Sequence, residues 1–136
     1  MAGKKTMEAL ALHKKGFNCA QAVLIPFAEE LGLSKEQAMQ ISEGFGAGMG
    51  ACKFTCGALS AAIMVAGLKN STGNLSSPNS KQSTYLLSRE ITEAFEKEVG
   101  SCSCYDIRGL ATKQPLKNCD ECVMIGAKLA ERVIGK

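Results

Sequence analysis

Apolar residues recur at spacings of three and four along most of the chain, which is typical of helices that each bury one face. No segment alternates apolar and polar residues with β-branched or aromatic enrichment, so strands are not expected. A chain of 136 residues is long enough for one closed core and too short for two ordinary domains. The sequence therefore predicts an all-α fold, with residues 1–136 forming a single compact domain of about five to six helices.

Capping residues and glycines set the expected bounds of these helices. The helices are expected at residues 4–15, 19–31, 34–44, 56–69, 81–99 and 119–134. Pro26 falls inside the second of them and is expected to bend it or remove a hydrogen bond. Thr55 is expected to cap the fourth helix, and the connector 101–117 is read as irregular.

Charge and hydropathy exclude several classes of function. Sixteen Lys and Arg against thirteen Asp and Glu give a net charge of +3 without any basic run, so a nucleic-acid partner is not indicated. Charged residues return early, at Glu8 and Lys14, which leaves no apolar segment of secretory length. The longest apolar run, residues 57–68, is short of the roughly 20 residues needed to cross a bilayer. We therefore expect a cytoplasmic protein that does not insert into membranes.

Seven cysteines are the unusual feature of the composition, and their odd number means that they cannot all pair within one chain. In a reducing compartment they are expected to be metal ligands or redox groups. Cys19, Cys56 and Cys119 each follow a capping residue at a predicted helix start. Because the start of a helix favours an anion, we expect the pKa of such thiols to fall from about 8.5 to between roughly 3.5 and 7.5.

Local cysteine pairs leave other chemistry open. Cys119 and Cys122 form a C-x-x-C at a helix start, but the βαβ context of thioredoxin is missing. Cys52 and Cys56 are four residues apart and would share a helix face if the helix began early. Zinc is not favoured, because a zinc ribbon needs two C-x-x-C knuckles and only one is present. His13 lies on a charged helix, where a solvated side chain is expected rather than a metal ligand.

The stretch from residue 44 to 50, GFGAGMG, is glycine-rich. Gly46, Gly48 and Ala51 match a loose dinucleotide-binding fingerprint, but no strand precedes it and no acidic residue follows at the required distance. We instead expect these glycines to let the backbone approach the Cys56 thiol and direct N–H groups at sulfur.

Nearly the whole chain resembles the C_GCAxxG_C_C family of redox-active proteins. The resemblance is carried by NCAQAVLIPFAEELGL, by GFGAGMGACKFTCGALSAAIMVAGL, by GSCSC and by the late cysteine. The family's four cysteine positions match Cys19, Cys56, Cys104 and Cys119, with Cys104 chosen over Cys102 from its distance to Gly100. The motif's last glycine is replaced by Ala61. The resemblance implies a helical, cysteine-dependent redox protein without naming a substrate.

Three hypotheses follow from these residues. In the first, the four matching cysteines ligate one iron–sulfur cluster for electron transfer. In the second, a metal-free thiol–disulfide oxidoreductase uses Cys119 with Cys122, or Cys52 with Cys56, as its catalytic pair. In the third, the chain is a small interaction domain with buried, unreactive thiols. The redox partner is not identified, and a homodimer is left open by the exposed thiols and the long amphipathic helix.

Overall fold

The chain folds into helices joined by short connections, and the computed structural model describes residues 3–135. The helices are α1 (Lys4–Lys14), α2 (Cys19–Leu24), α3 (Lys35–Glu43), α4 (Gly46–Met49), α5 (Gly57–Asn70), α6 (Lys81–Val99), α7 (Cys104–Ile107) and α8 (Cys119–Ile134). Within residues 3–135 the only extended pairing is an isolated antiparallel bridge between Thr55 and Ser103. The predicted all-α fold is confirmed. None of the helices in this range combines the length and apolar character needed to cross a membrane.

Helix α5 lies at the centre of the fold and contacts α2, α6 and α8. Its side chains are mostly small and buried, which lets neighbouring helices approach closely. At the closest point, a Cβ on Gly126 of α8 would be only 2.8 Å from the carbonyl oxygen of Ala58. The first turn of α5 is therefore held tightly against α8.

Three predicted helix starts are confirmed by reciprocal capping boxes. The side chains of Asn18 and Asn118 accept hydrogen bonds from the third residue of α2 and α8, whose own side chain bonds back to the cap. Ser34 does the same for α3. These caps satisfy N–H groups that a helix start otherwise leaves unpaired, so they fix where each helix begins.

The predicted helix over residues 19–31 is wrong in extent. Helix α2 ends at Leu24 and continues as two 3₁₀ turns, Ile25–Phe27 and Glu29–Leu31, before Gly32 closes the segment in a left-handed conformation. Pro26 lies in the first of these turns and has no N–H group to donate, which explains why the α-helical pattern stops there.

Two further expectations are corrected around the cysteines. Helix α5 begins at Gly57, so its N-cap is Cys56 and not Thr55. Thr55 is instead drawn into the bridge with Ser103. The connector, read as irregular, contains the single turn α7, capped by the Ser103 hydroxyl, which accepts from the backbone N–H of Asp106.

Candidate functional site

Five of the seven cysteines line one pocket of about 200 Å³. The four cysteines matched by the resemblance, Cys19, Cys56, Cys104 and Cys119, are among them, and Cys122 is the fifth. The remaining lining residues are His13, Asn18, Ala47, Gly57, Ile107 and Arg108. Thiols that are far apart in the sequence are thus gathered around a single cavity.

Helix starts bring these thiols together. Cys19, Cys104 and Cys119 are each the first residue of a helix, while Cys56 is the N-cap of α5. The starts of α2, α5, α7 and α8 therefore meet at the pocket. Cys122 lies one turn after Cys119 on α8, and because residues three apart share a helix face it lines the same cavity.

Two strand-like backbone hydrogen bonds hold Cys56 beside the connector. The N–H of Cys56 donates to the carbonyl of Cys102 at 2.9 Å, and the N–H of Cys104 donates to the carbonyl of Phe54 at 2.6 Å. These bonds flank the Thr55–Ser103 bridge. They fix the distance between the segments that carry Cys56 and Cys104, although 48 residues separate the two in the sequence.

The glycine-rich segment closes over the pocket in a strained conformation. Ala47, Met49, Ala51 and Lys53 all have positive φ, between 54° and 68°, which non-glycine residues rarely adopt. Gly48 has a φ of 73°, and a Cβ there would be 2.8 Å from the Cβ of Cys104. Such strain persists only where the surrounding structure enforces it, and it is often found at functional sites.

Backbone N–H groups point at two of the sulfurs in the pocket. The N–H groups of Ala47 and Gly57 donate to the sulfur of Cys19, and the N–H of Ala58 donates to that of Cys56. Each of these bonds favours a negative sulfur and lowers the pKa of the thiol that receives it. The expectation that the glycines of residues 44–50 approach the Cys56 thiol is wrong, because a Cβ on Gly48 would meet Cys104 and the N–H that donates to the Cys56 sulfur is that of Ala58. The glycine that approaches a sulfur closely is Gly57, where a Cβ would be 2.7 Å from the Cys19 sulfur.

Cys19, Cys56 and Cys122 form a chain of hydrogen-bonded thiols. The hydrogen bond with Cys56, together with burial, raises the pKa of Cys19 well above its ordinary value. The hydrogen bond with Cys122 is the main reason why the pKa of Cys56 rises to about 12. Removing a proton would place negative charge beside another sulfur in a dry pocket, which is unfavourable.

Cys104 and Cys119 are not part of this series of hydrogen-bonded thiols. Arg108 affects the pKa of both. Burial raises the pKa of each thiol, and the positive charge of Arg108 opposes that rise. Arg108 also hydrogen-bonds to the Cys104 thiol. The expectation of lowered pKa values is therefore wrong for Cys19, Cys56 and Cys119 in the metal-free pocket, because burial and neighbouring thiols outweigh the helix termini.

His13 lies on the pocket wall and is not a solvated surface residue. Its Nδ1 is 2.5 Å from Oδ1 of Asp120, the residue that follows Cys119, and its side chain is 21% exposed. Lys14 binds the other carboxylate oxygen of Asp120 at 3.2 Å. The contact joins α1 to the start of α8. Nothing in the local sequence of either helix indicates it, because 107 residues separate the partners.

Arg108 was also missed by the sequence analysis. It follows Cys104 by four residues, the spacing at which side chains meet on a helix, and would have been noticed had α7 been expected. Cys122 was considered only as half of a local pair.

Cys52 and Cys102 lie outside the pocket. Cys52 is exposed and sits in the irregular segment before α5, so the expected helix face shared with Cys56 does not exist. Cys102 is half-buried against the core, and its thiol faces the carbonyl oxygen of Thr92 at 3.8 Å. The Cys52–Cys56 pair of the dithiol hypothesis is therefore not supported by the geometry.

The donor set suits soft metals and iron–sulfur clusters, since it consists of thiols on a largely apolar wall. Among residues 3–135, no three side chains of His, Cys, Asp or Glu converge as a site for one metal ion. An iron–sulfur cluster contains several atoms. Its ligands are therefore spread around the cluster and need not converge on one point, as the ligands of a single metal ion must.

A family comparison agrees with this arrangement. Residues 17–133 match the family described as "Putative redox-active protein (C_GCAxxG_C_C)", and the chain belongs to this family. No curated protein and no solved structure matches the chain. The resemblance noted in the sequence is thus confirmed, and with it a redox-active class of protein with an all-α fold.

Proposed function

We propose that the five-cysteine pocket is a redox centre that holds an iron–sulfur cluster through Cys19, Cys56, Cys104 and Cys119 and serves electron transfer in the cytoplasm. One observation carries the proposal: these four thiols come from four separate segments and line the same pocket. Four cysteine thiolates are the usual ligand set of such clusters.

The raised pKa values support a metal partner. The pKa values of these four thiols are all raised in the metal-free pocket, so ionising them would be costly without a positive charge beside them. Coordination to a metal removes the proton of a thiol outright, so iron would supply the missing positive charge. When bound, the cluster would take up and release single electrons.

The surrounding residues have the properties that such a centre needs. The N–H groups of Ala47, Gly57 and Ala58 donate to sulfur, and hydrogen bonds of this kind tune the potential of a cluster. Arg108 offsets negative charge near Cys104 and Cys119. Ile107 and Ala47 add apolar wall and keep water away.

The test is metal analysis of protein purified without oxygen. We expect brown protein with visible charge-transfer absorption, bound iron and acid-labile sulfide. Replacing Cys19, Cys56, Cys104 or Cys119 by Ser should lower the iron and sulfide content, whereas Cys52→Ser, which changes an exposed thiol outside the pocket, should not. Colourless, iron-free protein after reconstitution would overturn the proposal.

A second candidate function is thiol–disulfide exchange, and the hydrogen-bonded thiols favour it. Cys56 bonds to both Cys19 and Cys122, so a disulfide from Cys56 to either neighbour needs little movement. The pair expected from the sequence, Cys119 with Cys122, lines the same pocket. One thiolate would attack a substrate disulfide and displace one substrate thiol, and the second would resolve the mixed disulfide and release the other. The substrate is reduced and the protein is oxidised by two electrons.

Thiol counting separates the two functions. The dithiol model predicts that mild oxidation removes two thiols per chain without metal. If the disulfide contains Cys122, Cys122→Ser abolishes this loss, whereas a Cys19–Cys56 disulfide predicts that the loss persists in that variant. The cluster model predicts that Cys122→Ser leaves iron and sulfide bound, since Cys122 is not one of the four proposed ligands. Peptide mapping of the oxidised protein would distinguish a Cys119–Cys122 disulfide from one that contains Cys56.

A further inference from the structure

Large apolar side chains are exposed in the two segments that carry Cys56 and Cys104. Phe54 is 63% exposed, Met49 46%, Leu110 46% and Tyr105 43%. They belong to only two segments, one before α5 and one that includes α7. Bulky apolar side chains grouped on a surface mark contact sites, whereas single ones scattered over it need no explanation.

Backbone hydrogen bonds join these two segments side by side. The N–H of Tyr105 donates to the carbonyl of Lys53 at 3.0 Å, and the N–H of Leu110 donates to that of Tyr105 at 3.2 Å. Cys104 is bonded to Phe54 in the same way. The surface, which we call the docking face, comprises Met49, Lys53, Phe54, Tyr105, Arg108 and Leu110. Through Cys104 it adjoins the pocket directly.

The docking face and its margin carry an excess of positive charge. The segments 44–56 and 101–119 contain Lys53, Arg108, Lys113 and Lys117 against a single carboxylate, Asp106. Of the neighbouring carboxylates of α8, Asp120 is paired with Lys14 at 3.2 Å and Glu121 with Lys117 at 4.0 Å. Because Lys117 offsets Glu121, the positive excess comes from Lys53, Arg108 and Lys113 against Asp106. An apolar centre with a positive margin is complementary to a partner with an apolar centre and an acidic margin.

We infer that the docking face binds a small acidic electron-carrier protein, which exchanges electrons with the cysteine pocket through the Cys104 side. The electron transfer in this inference rests on the proposed function. In that step one electron leaves the reduced carrier and enters the cluster, with no bond formed or broken. The face is small, which is typical of transient redox complexes rather than permanent ones. Attraction between opposite charges would speed the encounter and orient the two centres.

The experiment is a binding titration of the anaerobically purified protein with a small acidic ferredoxin as probe and a basic cytochrome c as the charge-reversed control. Calorimetry should detect the ferredoxin at about 0.01 M salt and should show a Kd about tenfold weaker at about 0.15 M, where surface charges are screened. The cytochrome should not bind. Iron and sulfide are measured on the same samples, so loss of the proposed cluster and loss of docking are recorded separately.

Variants place the binding on the docking face. Lys53→Glu and Lys113→Glu should each weaken ferredoxin binding severalfold and reduce its salt dependence, and Phe54→Ser should weaken it with the salt dependence retained. The matched controls are Leu75→Ser, at a fully exposed residue, and Lys81→Glu, both beside a separate pocket of the 71–85 region. Circular dichroism identifies any of the three docking-face variants that fails to fold. The other two variants are then used to test the inference.

Any of four results would overturn the inference. The first is an iron-containing or dithiol-active protein that does not bind the acidic probe. The second is binding that is equally affected by the control variants, and the third is preference for the basic cytochrome. Concentration-dependent dimerisation abolished by Phe54→Ser would instead assign the face to a second copy of this chain, and would equally reject the carrier.

Discussion

The sulfur of Cys19 lies against the Cα of Gly57: a methyl carbon at position 57 would be 2.7 Å from that sulfur and 2.9 Å from the carbonyl oxygen of Phe45. Glycine at the first position of α5 therefore lets α2 and α5 approach until their thiols touch. Gly57 belongs to the same short motif as Cys56, so the motif specifies a contact between helices as well as a cysteine of the pocket.

Gly57→Ala should destabilise the protein by about 1–3 kcal/mol, because neither the Phe45 carbonyl nor the sulfur has room to move. Urea unfolding followed by circular dichroism measures the change. Gly67→Ala is the matched control in the same helix, since no atom lies within 4 Å of its Cβ position. It should raise stability by about 0.5–1 kcal/mol. Equal effects at the two positions would contradict the proposed contact.

Gly48 and Gly50 test the strained segment over the pocket. Both have positive φ, 73° and 67°, so alanine should cost about 1 kcal/mol at either position from backbone strain alone. At Gly48 the new methyl would also meet the backbone N of Phe54 at 2.7 Å, whereas at Gly50 its nearest neighbour is 3.7 Å away. Gly48→Ala should therefore lose about 1–3 kcal/mol more than Gly50→Ala in thermal or urea unfolding.

The pKa of Cys56 makes stability depend on alkaline pH. The reduced, metal-free fold keeps this thiol neutral up to about pH 12, while in the unfolded chain it ionises near 9.0. Above pH 9 the unfolded state binds fewer protons than the folded state, so the free energy of unfolding should fall as the pH rises. The stabilisation is fully present below pH 9 and lost towards pH 12. Unfolding curves of protein kept reduced with a phosphine measure this slope.

Cys56→Ala should make that alkaline slope shallower, and Cys52→Ala, at the exposed thiol, should leave it unchanged. A slope identical in the wild type and in Cys56→Ala would show that the thiol chain is not maintained in solution.

The pair of His13 and Asp120 should act at the acidic end of the pH range. Hydrogen bonds from His13 and Lys14 lower the pKa of Asp120 below its ordinary 3.8. The stabilisation from the carboxylate is present above pH 3.8 and disappears as the pH falls through the lowered pKa. Asp120→Asn should therefore reduce stability at pH 7 and match the wild type in strong acid.

A double-mutant cycle with His13→Gln checks the pairing. If the two side chains interact as the structure shows, the double variant loses less stability at pH 7 than the sum of the single variants. Additive losses would argue against a direct contact.

The helix starts were predictable because their signals are local. Asn18, Ser34 and Asn118 act within three residues of themselves, and each was confirmed as part of a capping box. The error at Thr55 has a tertiary cause, since its backbone pairs with Ser103, which is distant in the sequence. No capping rule contains that information.

The pocket shows the same division between local and tertiary information. Cys119 and Cys122 share a helix face by spacing alone, but their contact with Cys56 depends on how closely α5 and α8 approach. That approach is made possible by Gly126 against Ala58. Ala61, where the family motif has glycine, is fully buried within α5, and the tight contacts occur at Gly57 and Gly126 instead. Side-chain partners such as Arg108 and His13 could not be assigned before the helices were placed.

The wide separation of the pocket cysteines along the chain has a consequence for biogenesis. A zinc knuckle can capture its ion from a short nascent peptide, but here residues 19 and 119 must both have been synthesised before the cavity exists. Any prosthetic group must therefore wait until both residues have been synthesised. Because it would bind the folded chain, its insertion would raise the melting temperature by mass action.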